Sequence, residues 1–296
     1  MVIAYQHSPV LAKESLEYLN LAAGKVFVDA TLGGGGHSFQ VKSQKLASPA
    51  GGSKVKIIGF DQDVDALKAA KERLAGFSDI EYVHDNFSHL KDHVKEKVDG
   101  ILFDLGVSSF QIDEGSRGFS LKSDGPLDMR MDRGLKLTAG DIVNNWPEEE
   151  LTRLFYEYGE ERFAKRISNS ICVIRNTREI KTTFELKEIV EKAIPTWKKR
   201  ESVTRVFQAL RIAVNNELDS LKRALGQATE LLKPGGRLVV ISYHSLEDRI
   251  VKLAFRESAK NGILKLLTKK PVLSGAAELA DNPRAGSAKL RAAEKL

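Results

Sequence analysis

The apolar run at 26–28 carries no polar alternation, and further strand-like runs follow at 55–60, 80–83 and 100–103 within the first 105 residues. A strand covered on one face alternates and one covered on both does not, so these runs predict a parallel sheet with helices on either side. Helical spacing fills the gaps. Ser8 and Pro9 read as N-cap and first residue of a helix over 10–19, a second helix follows over 37–46, and Leu67, Ala70 and Leu74 share one face of a third over 66–74. Beyond 111 this rhythm stops. A Gly- and Asp-rich loop at 115–134 gives way to three apolar faces at helical period: Leu151, Leu154, Phe155 and Tyr158; Ile167, Ile171 and Ile174; Phe184, Leu186, Ile189 and Val190. The rhythm resumes with a long helix over 206–232, the turn Lys233-Pro234-Gly235-Gly236, a strand over 237–242 and a helix around 247–255. Two tail strands, at 270–273 and 288–292, flank Asn282-Pro283-Arg284. The pattern predicts an α/β domain of residues 1–111 and 206–296, interrupted by an inserted helical domain at 112–205.

The first strand ends at Asp29 and runs through Thr31-Leu32 into four glycines, Gly33 to Gly36, before His37. Glycines at a strand end can take positive φ and let a ligand approach bare backbone amides, which suits an adenine-containing cofactor. The dinucleotide spacing Gly-x-Gly-x-x-Gly is broken by Ser38, and a tight turn serving only helix packing is the competing reading. Asp61, at the end of the second strand, stands where a carboxylate can accept ribose hydroxyls; it could instead cap the helix over 66–74, as could Asp63 or Asp65. Phe87 could stack on adenine or pack in the core. Four strand ends bring Asp29, Asp61, Asp85 and Asp104 to the carboxyl edge of the sheet, where open α/β folds bind ligands, although each could cap a helix. His7 either fixes the entry of the first helix or edges the cofactor pocket.

A net charge of +6 and a pI near 9.2 point to a polyanionic partner. The insertion at 112–205 reads as a basic substrate-recognition domain: its basic residues, among them Arg162, Lys165, Arg166, Arg175, Arg178 and Arg205, are expected to outnumber its acids, and Trp197 lies beside Lys198-Lys199-Arg200, a composition that favours phosphate contacts with nucleic acid. Cys172 is the only cysteine, which excludes an internal disulfide, and the histidines show no metal-site spacing, so no metal is expected. No apolar stretch reaches membrane-spanning length and no export signal opens the chain, so a cytoplasmic location is expected.

The helix, Leu-Lys-Pro-Gly-Gly, strand order in fifth position is typical of Rossmann-like class I methyltransferases. Several blocks are more specific: Tyr5-Gln6-His7-Ser8-Pro9-Val10-Leu11, Gly35-Gly36-His37-Ser38, Asp104-Leu105-Gly106-Val107-Ser108-Ser109, Arg117-Gly118-Phe119-Ser120, Asp124-Gly125-Pro126-Leu127-Asp128-Met129-Arg130, Tyr158-Gly159-Glu160-Glu161, Phe207-Gln208-Ala209-Leu210-Arg211, His244-Ser245-Leu246-Glu247-Asp248-Arg249 and Asn282-Pro283-Arg284-Ala285. Across nearly its whole length the chain resembles the bacterial 16S rRNA cytosine N4-methyltransferases, the MraW family. The resemblance implies methyl transfer from S-adenosylmethionine to N4 of one cytidine, cytosine 1402 of the family's target, in the decoding region of the small ribosomal subunit. It places cofactor contacts at Gly35, Gly36, His37, Asp61, Phe87, Asp104 and Gln111. Departures are Phe110 for a proline, Tyr243 for a phenylalanine, Gly286 for an arginine, and the turn entry Thr31-Leu32-Gly33-Gly34.

The N4 lone pair is delocalised into the cytosine ring, so orientation must do most of the work. Asp104, or carbonyls after it, could accept the N4 hydrogens and serve as the catalytic acceptor. Phe110, Tyr243 or His244 could pack against an unstacked base or simply pack in the protein. The implied partner is 16S rRNA or the small subunit, with monomer and homodimer both open. A non-catalytic rRNA-binding assembly factor would explain the basic stretch but not the turn or the strand-end acids; a nicotinamide-dependent oxidoreductase would need the missing third glycine.

Overall fold

The computed structural model describes residues 9–44 and 55–296; Ser8, His7 and the side chain of Phe110 lie outside that description. The chain forms two compact units, Met1–Gly106 with Leu218–Leu296, and Val107–Glu217. No helix among the described residues is long and apolar enough to cross a membrane.

The first unit is built on seven strands: β1 (Val26–Asp29), β2 (Lys56–Asp61), β3 (Ile80–His84), β4 (Val98–Asp104), β5 (Leu232–Ser242), β6 (Leu264–Leu266) and β7 (Lys289–Lys295). Their order is β3-β2-β1-β4-β5-β7-β6, with β1 to β5 parallel and β7 antiparallel to both its neighbours. The absence of polar alternation follows from burial on both sides. Val28, Ile58, Phe60, Ile101 and Phe103 pack with Leu221, Ala224, Leu225 and Ala228 of the helix Glu217–Leu231. Phe27, Ile57 and Leu102 pack on the other face with Leu11, Leu19 and Val41. Strand order reverses between β1 and β4, which opens a crevice at their carboxyl ends.

At the opposite end, Asp99 gathers three donors: the Lys25 and Lys233 ammonium groups at 2.9 and 2.8 Å and the Val26 amide at 2.9 Å. Burial alone would raise its carboxyl, but the bonds from Lys233, Val26 and Lys25 outweigh it and hold the group below the usual range. A depressed folded value means stability that is present above the unfolded value and lost as pH falls through the folded one. Asp99→Ala is expected to cost about 2 kcal/mol at neutral pH in urea denaturation, with a smaller difference from the parent in acid. Equal stability of parent and variant at neutral pH would refute this role.

Four elements differ from their sequence pattern, three of them in the first unit. The first helix is Ala12–Leu19, because Leu11 takes a left-handed conformation (φ 50°) and its amide turns to Glu278 Oε1 at 2.6 Å. β5 begins at Leu232: it pairs there with Val98 and next at Arg237 with Gly100, so Lys233 to Gly236 bulge out of register, with Gly235 at φ 77°. In the tail, the strand lies at Leu264–Leu266, and Val272 makes only a bridge to Leu290.

The second unit is helical, with Ala139–Asn145, Glu148–Glu157, Ala164–Arg175, Thr183–Ala193 and Lys199–Asn215 enclosing Ile142, Phe155, Ile167, Leu186, Val206 and Leu210. Capping boxes start two of them, Thr138 with Asp141 and Thr182 with Glu185. The helix expected over 206–232 is two helices. Asn216 adopts a left-handed conformation (φ 48°), which Asn tolerates better than most residues, and ends the helix that begins at Lys199. Just before it, buried Asn215 accepts the Met131 amide at 2.7 Å and donates to the Met129 carbonyl at 2.8 Å.

The acids of the 115–134 loop are occupied locally: Asp124 accepts the amides of Gly125 and Phe184, Asp128 holds Arg130 through two 2.8 Å bonds, and Asp132 accepts the Gly134 amide. Charge is segregated along this unit. Residues 107–161 hold twelve acids and six lysines or arginines, residues 162–205 five acids and twelve. The basic character belongs to the second half alone.

Candidate active site

At the carboxyl end of β1 the buried Asp29 carboxylate accepts the Ser38 hydroxyl at 2.8 Å and the Thr31 amide at 3.4 Å, binding the strand end to the first turn of the helix Gly36–Ser43. Thr31 Oγ1 in turn accepts the Asp104 amide at 2.6 Å and joins this loop to the end of β4. The Asp104 carboxylate then has two neighbours: the Tyr243 phenol donates to Oδ1 at 2.7 Å, and His37 Nε2 lies 3.4 Å from Oδ2.

Among the described residues neither nitrogen of buried His37 has a hydrogen-bond partner, Nε2 meeting Asp104 only in the 3.4 Å ion pair. Burial lowers its imidazole, but Asp104 and, more weakly, Asp29 and Glu278 overcome this and raise it above the ordinary value. Asp29 is raised as well, chiefly by its own burial.

The glycine turn divides into two parts. A Cβ at Gly35 (φ 75°) would meet the Leu74 side chain at 3.0 Å, and one at Gly36 would meet Pro9 at 3.3 Å, so both are bare because the protein packs against them. At Gly34 none of the described residues lies within 4 Å of an added Cβ. The open side of the turn is therefore Gly34, one residue before the pair picked out by the sequence.

Gly33 (φ 52°) donates its amide to Asp61 Oδ2 at 2.8 Å, while Asp61 Oδ1 accepts the Asp63 amide at 2.8 Å. Asp63 caps the helix Val64–Arg73 by accepting the Asp65 amide, which leaves Asp61 free of that task. Burial pushes the Asp61 carboxyl up to about 6 against the pull of the Asp63 and Gly33 amides.

Phe87 stands edge-on to Phe103 with ring centroids 5.6 Å apart and remains partly exposed. Asp85, the fourth strand-end acid, is held by His89 Nδ1 and His93 Nε2, each at 2.8 Å, whose hydrogen bonds outweigh its desolvation and keep it below the usual carboxylate range. His244 caps the helix Ser245–Lys260 in a box with Glu247. Gln111 belongs to the second unit, where it is buried and its side-chain oxygen accepts the Ser108 amide at 3.0 Å. Of the residues singled out by sequence, His37 meets Asp104, and Asp61 meets the glycine turn. Thr31, Ser38 and the Tyr243 hydroxyl were not singled out for these bonds. The signal for the first two was present, since Thr and Ser near a strand-end Asp commonly bond it.

An open Gly34, a buried imidazole nitrogen without a partner and a carboxylate poised beside the turn fit an adenosyl ligand with a charged amino-acid tail. The strand order, the glycine turn after β1 and the acid ending β2 together define a class I methyltransferase that uses S-adenosylmethionine.

The chain belongs to the MraW methylase family, whose model matches residues 4–296. It is 48% identical over 314 residues to ribosomal RNA small subunit methyltransferase H of Carboxydothermus hydrogenoformans, covering 99% of this chain and 98% of that protein. It is 47% identical over 313 residues to the enzyme of the same name from Halothermothrix orenii, covering 98% and 99%. Among solved structures, an rRNA methylase from Streptococcus thermophilus is similar at a TM-score of 0.45 and 14% identity, covering 96% of this chain and 93% of that one.

Proposed function

We propose that this protein methylates N4 of cytidine 1402 in 16S rRNA, with Asp104 as the acceptor that orients the amine. The observation that carries the reading is the fixed Asp104 carboxylate at the β4 end, beside the glycine turn of β1, in a chain nearly half identical to small-subunit rRNA methyltransferases. S-adenosylmethionine, when bound, supplies an electrophilic methyl group on a sulfonium centre.

Each residue has a separate task. Asp61 accepts the ribose hydroxyls, Phe87 borders the adenine, and the backbone of Gly35, Gly36 and His37 with Asp104 serves the methionine half. Asp29 and Asp104 put negative charge where a cationic donor is favoured over its neutral product. Asp104 accepts an N4 hydrogen, which localises the nitrogen lone pair and aims it, and it can take the proton that the methylated amine sheds. Residues 162–205 supply phosphate contacts to the RNA.

The test is to incubate the protein with labelled S-adenosylmethionine and small subunits lacking the modification, then to digest the RNA and chromatograph its nucleosides. Label in N4-methylcytidine is the expected result. Label in another nucleoside would overturn the target base while leaving the class intact; RNA binding without cofactor binding would favour an assembly factor.

A further inference from the structure

Tyr243 follows β5 directly, and its amide donates to Glu247 Oε2 at 2.8 Å, which pins the residue at the root of the helix Ser245–Lys260. Its ring lies against Gly106, where an added Cβ would sit 3.5 Å from Cδ2. Its hydroxyl donates to Asp104 Oδ1 at 2.7 Å. Burial, with the carboxylates of Asp104, Glu247 and Glu278 nearby, raises the phenol well above its ordinary value, so the group stays a donor throughout the working pH range.

A carboxylate held only by its backbone can turn about Cβ–Cγ. Here Thr31 holds the Asp104 amide, Tyr243 holds Oδ1, and Oδ2 faces His37. Turning the carboxylate breaks a charge-assisted hydrogen bond.

We infer that Tyr243 is a positioning residue for methyl transfer: its hydroxyl fixes the plane of the Asp104 carboxylate and leaves Oδ2 as the oxygen that meets the amine. This rests on the reading of Asp104 as acceptor. A misaimed acceptor still permits both substrates to bind but seldom presents the lone pair in line, so the effect falls on turnover. A phenylalanine at 243 fills the same ring space and releases the carboxylate.

The experiment is a double-mutant cycle on the full-length protein with S-adenosylmethionine and unmodified small subunits. Tyr243→Phe is expected to lower kcat about tenfold while both KM values stay within about twofold. In an Asp104→Asn background the same substitution is expected to change kcat no further. An unchanged kcat for Tyr243→Phe, an equal drop in both backgrounds, or a loss confined to KM would overturn the inference. If Asp104→Asn lowers kcat while Tyr243→Phe does not, the inference falls and the acceptor stands; if Asp104→Asn keeps full kcat, the acceptor reading falls and takes the inference with it. Ultraviolet titration of the six tyrosines in ligand-free protein reads the contact without catalysis. Asp104→Asn is expected to let one more phenol ionise at lower pH, and superimposable curves would overturn the contact.

Discussion

Asp61→Ala is expected to bind S-adenosylmethionine about a hundredfold more weakly than the parent in isothermal titration calorimetry at pH 7.5. Two hydroxyl hydrogen bonds to a carboxylate are each worth roughly 1.5–3 kcal/mol before desolvation is counted, and about 2.8 kcal/mol corresponds to a hundredfold. The same side chain also holds the Gly33 amide, so its loss loosens the turn.

The raised carboxyl adds a pH signature. Only the ionised form accepts both hydroxyls, so affinity should be flat above pH 7 and fall as pH drops through about 6, reaching about a tenth of its plateau near pH 5. Binding near pH 6 should therefore expel a proton. The sign in the ligand-free protein is opposite to that of a stabilising ion pair. The folded state holds this proton more tightly than the unfolded chain, so Asp61 makes the free protein less stable as pH rises from 3.8 to about 6. Asp61→Asn should remove this inflection from the affinity profile; an unchanged inflection would assign it elsewhere.

Gly125→Ala is expected to destabilise the second unit by about 3–5 kcal/mol, lowering its melting transition by roughly 15–20 °C. A Cβ at Gly125 would lie 2.0 Å from the Gly115 carbonyl oxygen, and one at Gly118 would lie 2.2 Å from the Pro126 oxygen. The obstacle in both cases is backbone, which cannot move aside as the end of a side chain can. The loop is folded onto itself, with the Met129 amide bonded to the Arg117 carbonyl and the Gly125 carbonyl accepting the Thr183 amide at the start of a helix. A melting temperature within about 2 °C of the parent, read by circular dichroism, would show that the loop can open without cost.

The doubly covered strands were legible because a run such as 100–103 has no polar residue to place on a wet face, and the acids that end these runs marked the carboxyl edge of the sheet. The break at Asn216 was not, since the apolar period continues across it and only the left-handed backbone of one residue interrupts the helix. The Lys233 to Gly236 bulge was hidden for a related reason: Pro-Gly-Gly reads as a turn, and pairing of Val98 with Leu232 ahead of it depends on register. The Tyr243 to Asp104 bond needs the knowledge that β4 and β5 are neighbours with Asp104 opposite Ile241, a relation between residues 139 positions apart. The four adjacent glycines looked alike in sequence. Only their surroundings separate Gly35 and Gly36, pressed by Leu74 and Pro9, from Gly34, which none of the described residues approaches.

The discontinuity of the first unit bears on synthesis. β1 to β4 leave the ribosome together and β4 can pair with β1, but its partner on the other edge is β5, and residues 107–217 must be made in between. At 5–20 residues per second, that leaves the apolar edge of β4 without its neighbour for roughly 5–20 seconds. Such an edge is a template for pairing with another chain. An early-folding insertion would replace a long flexible loop with a compact body and shorten the search by which β5 finds β4. The inserted unit would then guard the nascent chain against aggregation.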